Sequence, residues 1–509
     1  MKYIIALLSF VAVILNAEDT PLQFGNNMQR NAVVDAHDIP AQLGDHNTLW
    51  KIDLHGKPFF NTIQVEGDRG YAAVDARNLP SGTKTDRTAA LLCFNIHTGE
   101  IYWEKDMGYR TSNWGASIVP MFFDDKIYIG AQSIAVCLDM EGNELWSTDT
   151  AGDYFASVHG VHGTGVIIGN YWWFPTGYST GTDCDYWAEA SIERPWHPNM
   201  VIIDRRTGEI VAQDDVILNP HQHGTWGSLS VGEVDGNPAV FWGDSYGYVH
   251  AFDASQPYES SDKNRATIRK LWTIDANPES YRLTEDGVPW VYPFYMGKWG
   301  PRDKGPCEII APVTYHEGRI YVSIGRDKAY VSNDGNRYHG DGGLVCIDVT
   351  GPEPKKVWTN TKVGRTFCPP SIQDGLAHIA THSGYLNTLD LETGETLRKE
   401  DMNACIWNFF QSEGDGKIFV MNERRDFIIF DAKNGGILSN YIADASNNPQ
   451  VGMTHGILIV PTMKSIVAYG GPEYMKTHEP MAAPADPKDR QLTRQTTGEF
   501  DSRRARGGH

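Results

Sequence analysis

Ten residues stand where apolar, strand-like runs begin, and their types are those of a recognition surface. They are Arg110, Trp114, His159, His162, His221, His223, Trp226, Arg365, Trp407 and His455. Arginine pairs with carboxylate or sulfate through two parallel N–H bonds, and aromatic faces stack on sugar rings. Gathered in one concavity, such groups suit an anionic or sugar-like ligand. Taken singly, the tryptophans serve equally well as core plugs and the histidines as hydrogen-bonded turn residues. Three other patterns carry less. His221-Gln222-His223 would chelate a metal from alternate strand positions, but no third ligand accompanies it. Asp327 to Asp341 offers oxygen ligands without the spacing of a calcium-binding EF-hand loop. Gly177-Tyr178-Ser179-Thr180-Gly181 has the spacing of a nucleophile elbow, which needs a strand-to-helix turn that this stretch does not provide.

The elements that position these residues come from a repeat. An apolar strand ending in Asp or Asn, a tight turn with Gly and a strand often carrying Trp recur along the chain. Clear copies are Leu92 to Asn95 with Thr98-Gly99-Glu100 and Trp103, and Val136 to Asp139 with Gly142 and Trp146. Others end at Asp204, Asp253, Asp348, Asp390 and Asp431, and the last, Ile466 to Gly470, lacks its Trp strand. Apolar and β-branched residues suit packed sheet layers, and Asp with Thr-Gly suits the turn. Most copies follow two further strand-like runs. Four strands at a period of about 40 residues make a propeller blade. Leu49-Trp50-Lys51-Ile52-Asp53-Leu54 supplies the missing strand, closing the ring and removing its exposed edges. The expectation is an all-β, eight-bladed propeller over residues 47–471. Two intervals, Asp139 to Asp204 and Asp253 to Asp348, exceed one unit. Aromatic-rich insertions are therefore placed at about 171–199 and 276–307, with a shorter one at 327–343.

The ends and the composition bound the setting. Lys2, the apolar run Ile4 to Leu15 and Ala17 have the layout of a secretory signal peptide over residues 1–17. The run is short of the roughly 20 residues needed to span a bilayer. No Cys follows to carry a lipid, so the expected location is periplasmic or secreted. Residues 18–46 read as an extension and 472–509 as a disordered tail. A net charge of −20 argues against nucleic acid, whose binding is dominated by Lys and Arg contacts to phosphate. The seven cysteines form no C-x-x-C pair, which leaves zinc-ribbon, thioredoxin and c-haem readings without support. Cys93, Cys137 and Cys346 occupy equivalent strand positions and read as core. A bridge between insertions, such as Cys184 with Cys307, stays open.

The Asn95 to Trp103 copy, and the Asp-x-x-Thr-Gly-Glu starts at Asp204 and Asp390, resemble the repeat of the PQQ-binding-like (quinoprotein-like) β-propellers. Gly232 to Val240 and Tyr246 to Asp253 resemble more closely the secreted propellers of planctomycete-type bacteria. The resemblance spans roughly residues 47–471. It implies three roles: a non-catalytic binding or scaffold protein, a PQQ-dependent alcohol or sugar dehydrogenase, and a BamB-like outer-membrane assembly factor. The dehydrogenase role implies PQQ with calcium, a Trp floor and often a disulfide of adjacent cysteines, and no two cysteines here are adjacent. The first role is favoured, with a small molecule, a glycan or another exported protein as partner. No catalytic residue is assigned and no metal ligand is identified.

Overall fold

The turn chemistry of the repeats folds as hairpins. Asp390 Oδ1 accepts the N–H groups of Glu392 and Thr393 and the Thr393 hydroxyl, bending the chain toward Gly394 at φ +72°. Asn95 Oδ1 does the same for His97 and Thr98, so the amide replaces the carboxylate without loss of the turn. A computed structural model describes residues 27–55, 62–81, 88–110, 119–131, 134–150, 164–176, 198–216, 227–244, 246–259, 266–289, 306–325, 330–331, 338–366, 368–404, 406, 411–445 and 450–481.

Eight antiparallel four-stranded units form the ring, as expected of an eight-bladed propeller. Blade 1 runs from centre to rim as Thr62–Glu66, Arg69–Asp75, Thr88–Asn95 and Ile101–Arg110. The innermost strands of blades 2 to 8 are Met121–Phe122, Val166–Ile168, Ser230–Val234, Thr314–His316, Ser371–Gln373, Ser412–Gly414 and Gly452–Thr454. Second and third strands are almost wholly buried, while rim strands such as Glu144–Asp149 alternate toward solvent. Thr48–Asp53 pairs antiparallel with Ser465–Gly470 and completes blade 8, so the closure read from the sequence is present. Cys93, Cys137 and Cys346 are buried on third strands, and burial pushes each thiol up to about 11.

Rim tryptophans tie four of the seams between blades. Trp50 Nε1 donates to the Ile96 carbonyl at 2.7 Å, Trp103 to Met140 at 3.1 Å, Trp146 to Arg205 at 3.0 Å and Trp358 to Leu391 at 3.1 Å. Each indole lies on the turn glycine of the neighbouring blade. A Cβ at Gly99, Gly142, Gly208 or Gly394 would come within 2.8, 3.1, 2.8 or 2.4 Å of the ring. Between blades 6 and 7, Arg398 replaces the indole and donates to the Ala432 carbonyl at 2.9 Å.

The structure corrects several boundaries. Tyr171–Pro175 is the second strand of blade 3 and its Trp172, Trp173 and Phe174 are buried core, so that insertion begins only after Thr176. The long interval after Asp253 is partly an excursion between the third and fourth strands of blade 4. Its strands Tyr258–Glu259 and Ala266–Ile268 extend the sheet of blade 3, with Ala266 paired in parallel to Ala212. Residues 472–481 are not a loose tail. Asp38 accepts the N–H groups of Glu473 and Tyr474, and the Met481 N–H donates to Thr48.

The N-terminal extension is the largest departure. From Met28 to Ile39 it crosses the innermost strands of five consecutive blades. Val231 of blade 4 donates its N–H to Met28, Tyr315 of blade 5 to Gln29, and Glu413 of blade 7 to Ala32. The Asn31 amide bonds both the N–H and the carbonyl of Ile372 in blade 6, each at 2.8 Å. Val33–Val34 then runs parallel to Glu413 and Gly414, and Gly456 of blade 8 donates to His37. Arg30 is fully buried and sends its guanidinium to the carbonyls of Leu229, Thr164 and Gly165.

Gly394→Ala tests the seam between blades. A Cβ there meets Trp358 and forces a left-handed backbone on alanine, so a loss of at least about 2 kcal/mol is expected in urea unfolding. Arg398→Ala, which gives up carbonyl bonds alone, should cost about 1 kcal/mol.

Candidate functional site

Each innermost strand ends in a tight hairpin turn, such as Asp374-Gly375 or Asp415-Gly416, and these turns share one face of the ring. The opposite face, the mouth, collects the connectors between blades and the turns between second and third strands. Loops mounted on a rigid scaffold are where binding residues concentrate.

Three of the ten predicted residues, Arg110, Arg365 and His455, are among those described. Arg365 lies on the connector between blades 5 and 6, at the mouth, and is 2 % exposed. Arg110 is the last residue of the blade 1 rim strand, at its mouth end. Trp114, His159, His162, His221, His223, Trp226 and Trp407 lie outside the described residues, as does Cys184. His455 does not stand at the mouth. It follows the innermost strand of blade 8, in the hairpin turn with Gly456, exposed and stacked on His37 at 3.9 Å.

Glycines make the room for Arg365. Gly325 and Gly342 face each other at the ends of the second and third strands of blade 5. A Cβ on Gly342 would fall 2.4 Å from Arg365 Cα, and one on Gly325 would fall 2.9 Å from its Cγ. The Arg365 carbonyl accepts the N–H of His382, which is buried in the neighbouring turn of blade 6. Burial first, and the Arg365 charge second, hold the His382 imidazole well below its usual range, so the ring is neutral at pH 7. A guanidinium beside a neutral imidazole attracts anions without adding a second competing charge.

Sequence reading missed one constellation. Asp244 accepts the N–H groups of Tyr246 and Tyr248 and, at 3.0 Å, the ring of His250; the other ring nitrogen meets the Thr273 hydroxyl at 2.9 Å. The composition is that of a catalytic triad. Thr273, however, stands on the rim strand of blade 4, and the imidazole is buried and stacked on Trp242. The chain of bonds braces the turn between second and third strands rather than activating a nucleophile. The Asp–His spacing was the signal that could have revealed it.

PQQ with calcium needs carboxylate and amide oxygens turned to one point. Among the described mouth residues, Asp75 binds Arg77, Asp214 takes backbone N–H groups, Asp275 binds Arg282, and Asp444 binds Thr462 and Ser465. No group of three or more His, Cys, Asp or Glu that could hold a metal occurs among the described residues. These four carboxylates are engaged with partners of their own rather than turned to one shared point.

With the fold in hand, the chain is an eight-bladed β-propeller. No protein-family profile matches it, and no curated protein does. Among solved structures it is similar to the computationally designed Ika8 protein, with a TM-score of 0.52 and 10% identity, over 83% of this chain and 99% of that one. BamB from Moraxella catarrhalis gives 0.49 and 13% over 80% and 96%. Quinohemoprotein alcohol dehydrogenase from Comamonas testosteroni gives 0.46 and 11% over 91% and 82%. At such identities the likeness is one of fold alone. Among the described residues no helix is long and apolar enough to cross a membrane.

Two measurements test the electrostatics. In NMR titration the His382 ring should take up its proton well below the usual imidazole range, and Arg365→Met should move its midpoint upward. On the channel wall, Glu413 is 2 % exposed, and burial with the nearby Asp374 lifts its carboxyl from 4.5 to about 7. Between those values the unfolded chain releases a proton that the folded chain keeps, so stability falls as pH rises through the window. Glu413→Gln removes that slope. Relative to wild type it should gain on the order of 3 kcal/mol between pH 4 and pH 8 in urea unfolding.

Proposed function

We propose that the protein is an exported, non-catalytic propeller that binds a ligand or scaffolds a partner at its mouth face. The ligand class is anionic or sugar-like: a carboxylated or sulfated small molecule or glycan. The observation that carries this reading is Arg365, whose buried guanidinium sits beside a neutral His382 in a notch made by two glycines. Guanidinium recognises carboxylate and sulfate by paired bonds, and a rigid notch lowers the entropy lost on binding. Trp114, Trp226 and Trp407, with the mouth histidines, are proposed to stack on the ligand. Export to the periplasm or the medium is part of the proposal and rests on residues 1–17.

The test is a pair of calorimetric titrations of the mature protein, one with PQQ and calcium and one with a panel of sulfated and carboxylated oligosaccharides. The expected result is no quinone uptake at micromolar concentration, and oligosaccharide binding that weakens at least tenfold in Arg365→Met. Stoichiometric quinone binding with dye reduction by alcohols or sugars would replace this reading with a PQQ-dependent dehydrogenase. Co-purification with outer-membrane proteins and no ligand binding would replace it with an assembly factor.

A further inference from the structure

We propose that the inner edges of blades 4 to 8 form a track for an extended peptide, and that residues 28–39 are its in-chain occupant, latched by Arg30. This goes beyond the mouth-face reading and does not depend on it. The bonding is that of peptide recognition by strand edges. Main-chain N–H groups of Val231, Tyr315, Glu413 and Gly456 each donate to a carbonyl of the segment, and one stretch pairs in parallel register. Such contacts read an extended backbone, while side-chain pockets supply selectivity.

Two pockets do so here. Carbonyls of Leu229, Thr164 and Gly165 receive the Arg30 guanidinium, a donor-only group with five N–H bonds to place. One residue on, the Asn31 amide imitates a peptide unit against Ile372. Arg30 also has a left-handed backbone, φ 60°, which glycine would adopt with less strain. An arginine held there against its backbone preference is there for its side chain.

The occupant is held by both kinds of contact: Met28, Ala32, Ala36 and Ile39 are buried, while Val33 and Val34 are half-buried and Asp35 and His37 exposed. The track thus reads an extended backbone with arginine at one position and small or apolar residues at the buried ones, and another segment of that chemistry can replace it. The partner is therefore an extended, arginine-bearing peptide of another protein, which enters by displacing residues 28–39. The net charge of −20 favours approach of a cationic peptide.

The experiment uses full-length protein with Arg30→Ala and Asn31→Ala together, and Arg30→Lys as a milder variant that keeps the charge but loses the fork. A fluorescent synthetic peptide of residues 27–39 is the probe. The expected result is peptide binding at least tenfold tighter to the double variant than to wild type, with Arg30→Lys between them. Amide exchange at Val231, Tyr315 and Glu413 should accelerate in the variants and slow again on adding peptide. A peptide carrying alanine at the arginine position should bind at least tenfold more weakly. Failure of either folded variant to take up the peptide would overturn the proposal.

Discussion

The contact on which the ring depends is an indole laid flat on a glycine of the next blade, with its N–H given to a carbonyl of the same turn. Both halves are required. The glycine supplies a left-handed turn and the absence of a side chain that lets the ring approach; the carbonyl fixes where the ring lies. Because four rim strands give this contact and a fifth gives its arginine counterpart, the angle between those blades is set at the rim. The centre is then a consequence of the rim, and a channel wall of innermost strands is what remains. Arg398 makes the point from the other side. A guanidinium is planar and donates from its edge, so it meets the same carbonyl where the indole is missing.

The ring gives the molecule two unlike faces. One carries the hairpin turns, and with them the excursion after Asp253 in blade 4. The other carries the described connectors between blades. Arg365 and His382 belong to the second face and sit in a notch that exists because the strands beneath them end in glycine. Asp244, His250 and Thr273 show how polar groups of this face are otherwise spent, on bracing the turns that hold it up.

The blades and their closure were legible because turn chemistry and alternation are local. Asp390 and Gly394 announce a hairpin whatever surrounds them, and Trp50 announces a rim strand without its blade. What was illegible depends on distant partners. Residues 28–39 show no alternation, since their bonds are divided among several blades, so they read as an extension without strands. His455 was placed at the start of an innermost strand when it closes one; the following glycine, matching Asp374-Gly375 and Asp415-Gly416, was the overlooked signal. Tyr171 to Phe174 read as a loop because four aromatic residues in a row conceal the alternation of a strand buried on both faces. The burial of Arg365 had its own trace in Gly325, Gly342 and Gly343, which break the β-branched pattern where a strand should continue.

Closure of the ring by its first strand sets an order on synthesis. Blades 1 to 7 each draw on strands close together in the chain and can form as they emerge. Blade 8 cannot, because the contacts that seal it join Asn47 to Gly470, 423 residues apart. Thr48–Asp53 is the earliest blade strand made and the last to find its partner. Throughout elongation it stays a solitary edge, and residues 28–39 wait with it for blades that do not yet exist. The entropy of bringing such distant ends together grows only slowly with length. The burden is therefore one of time and not of energy: a strand edge that must be kept from other chains until translation is complete.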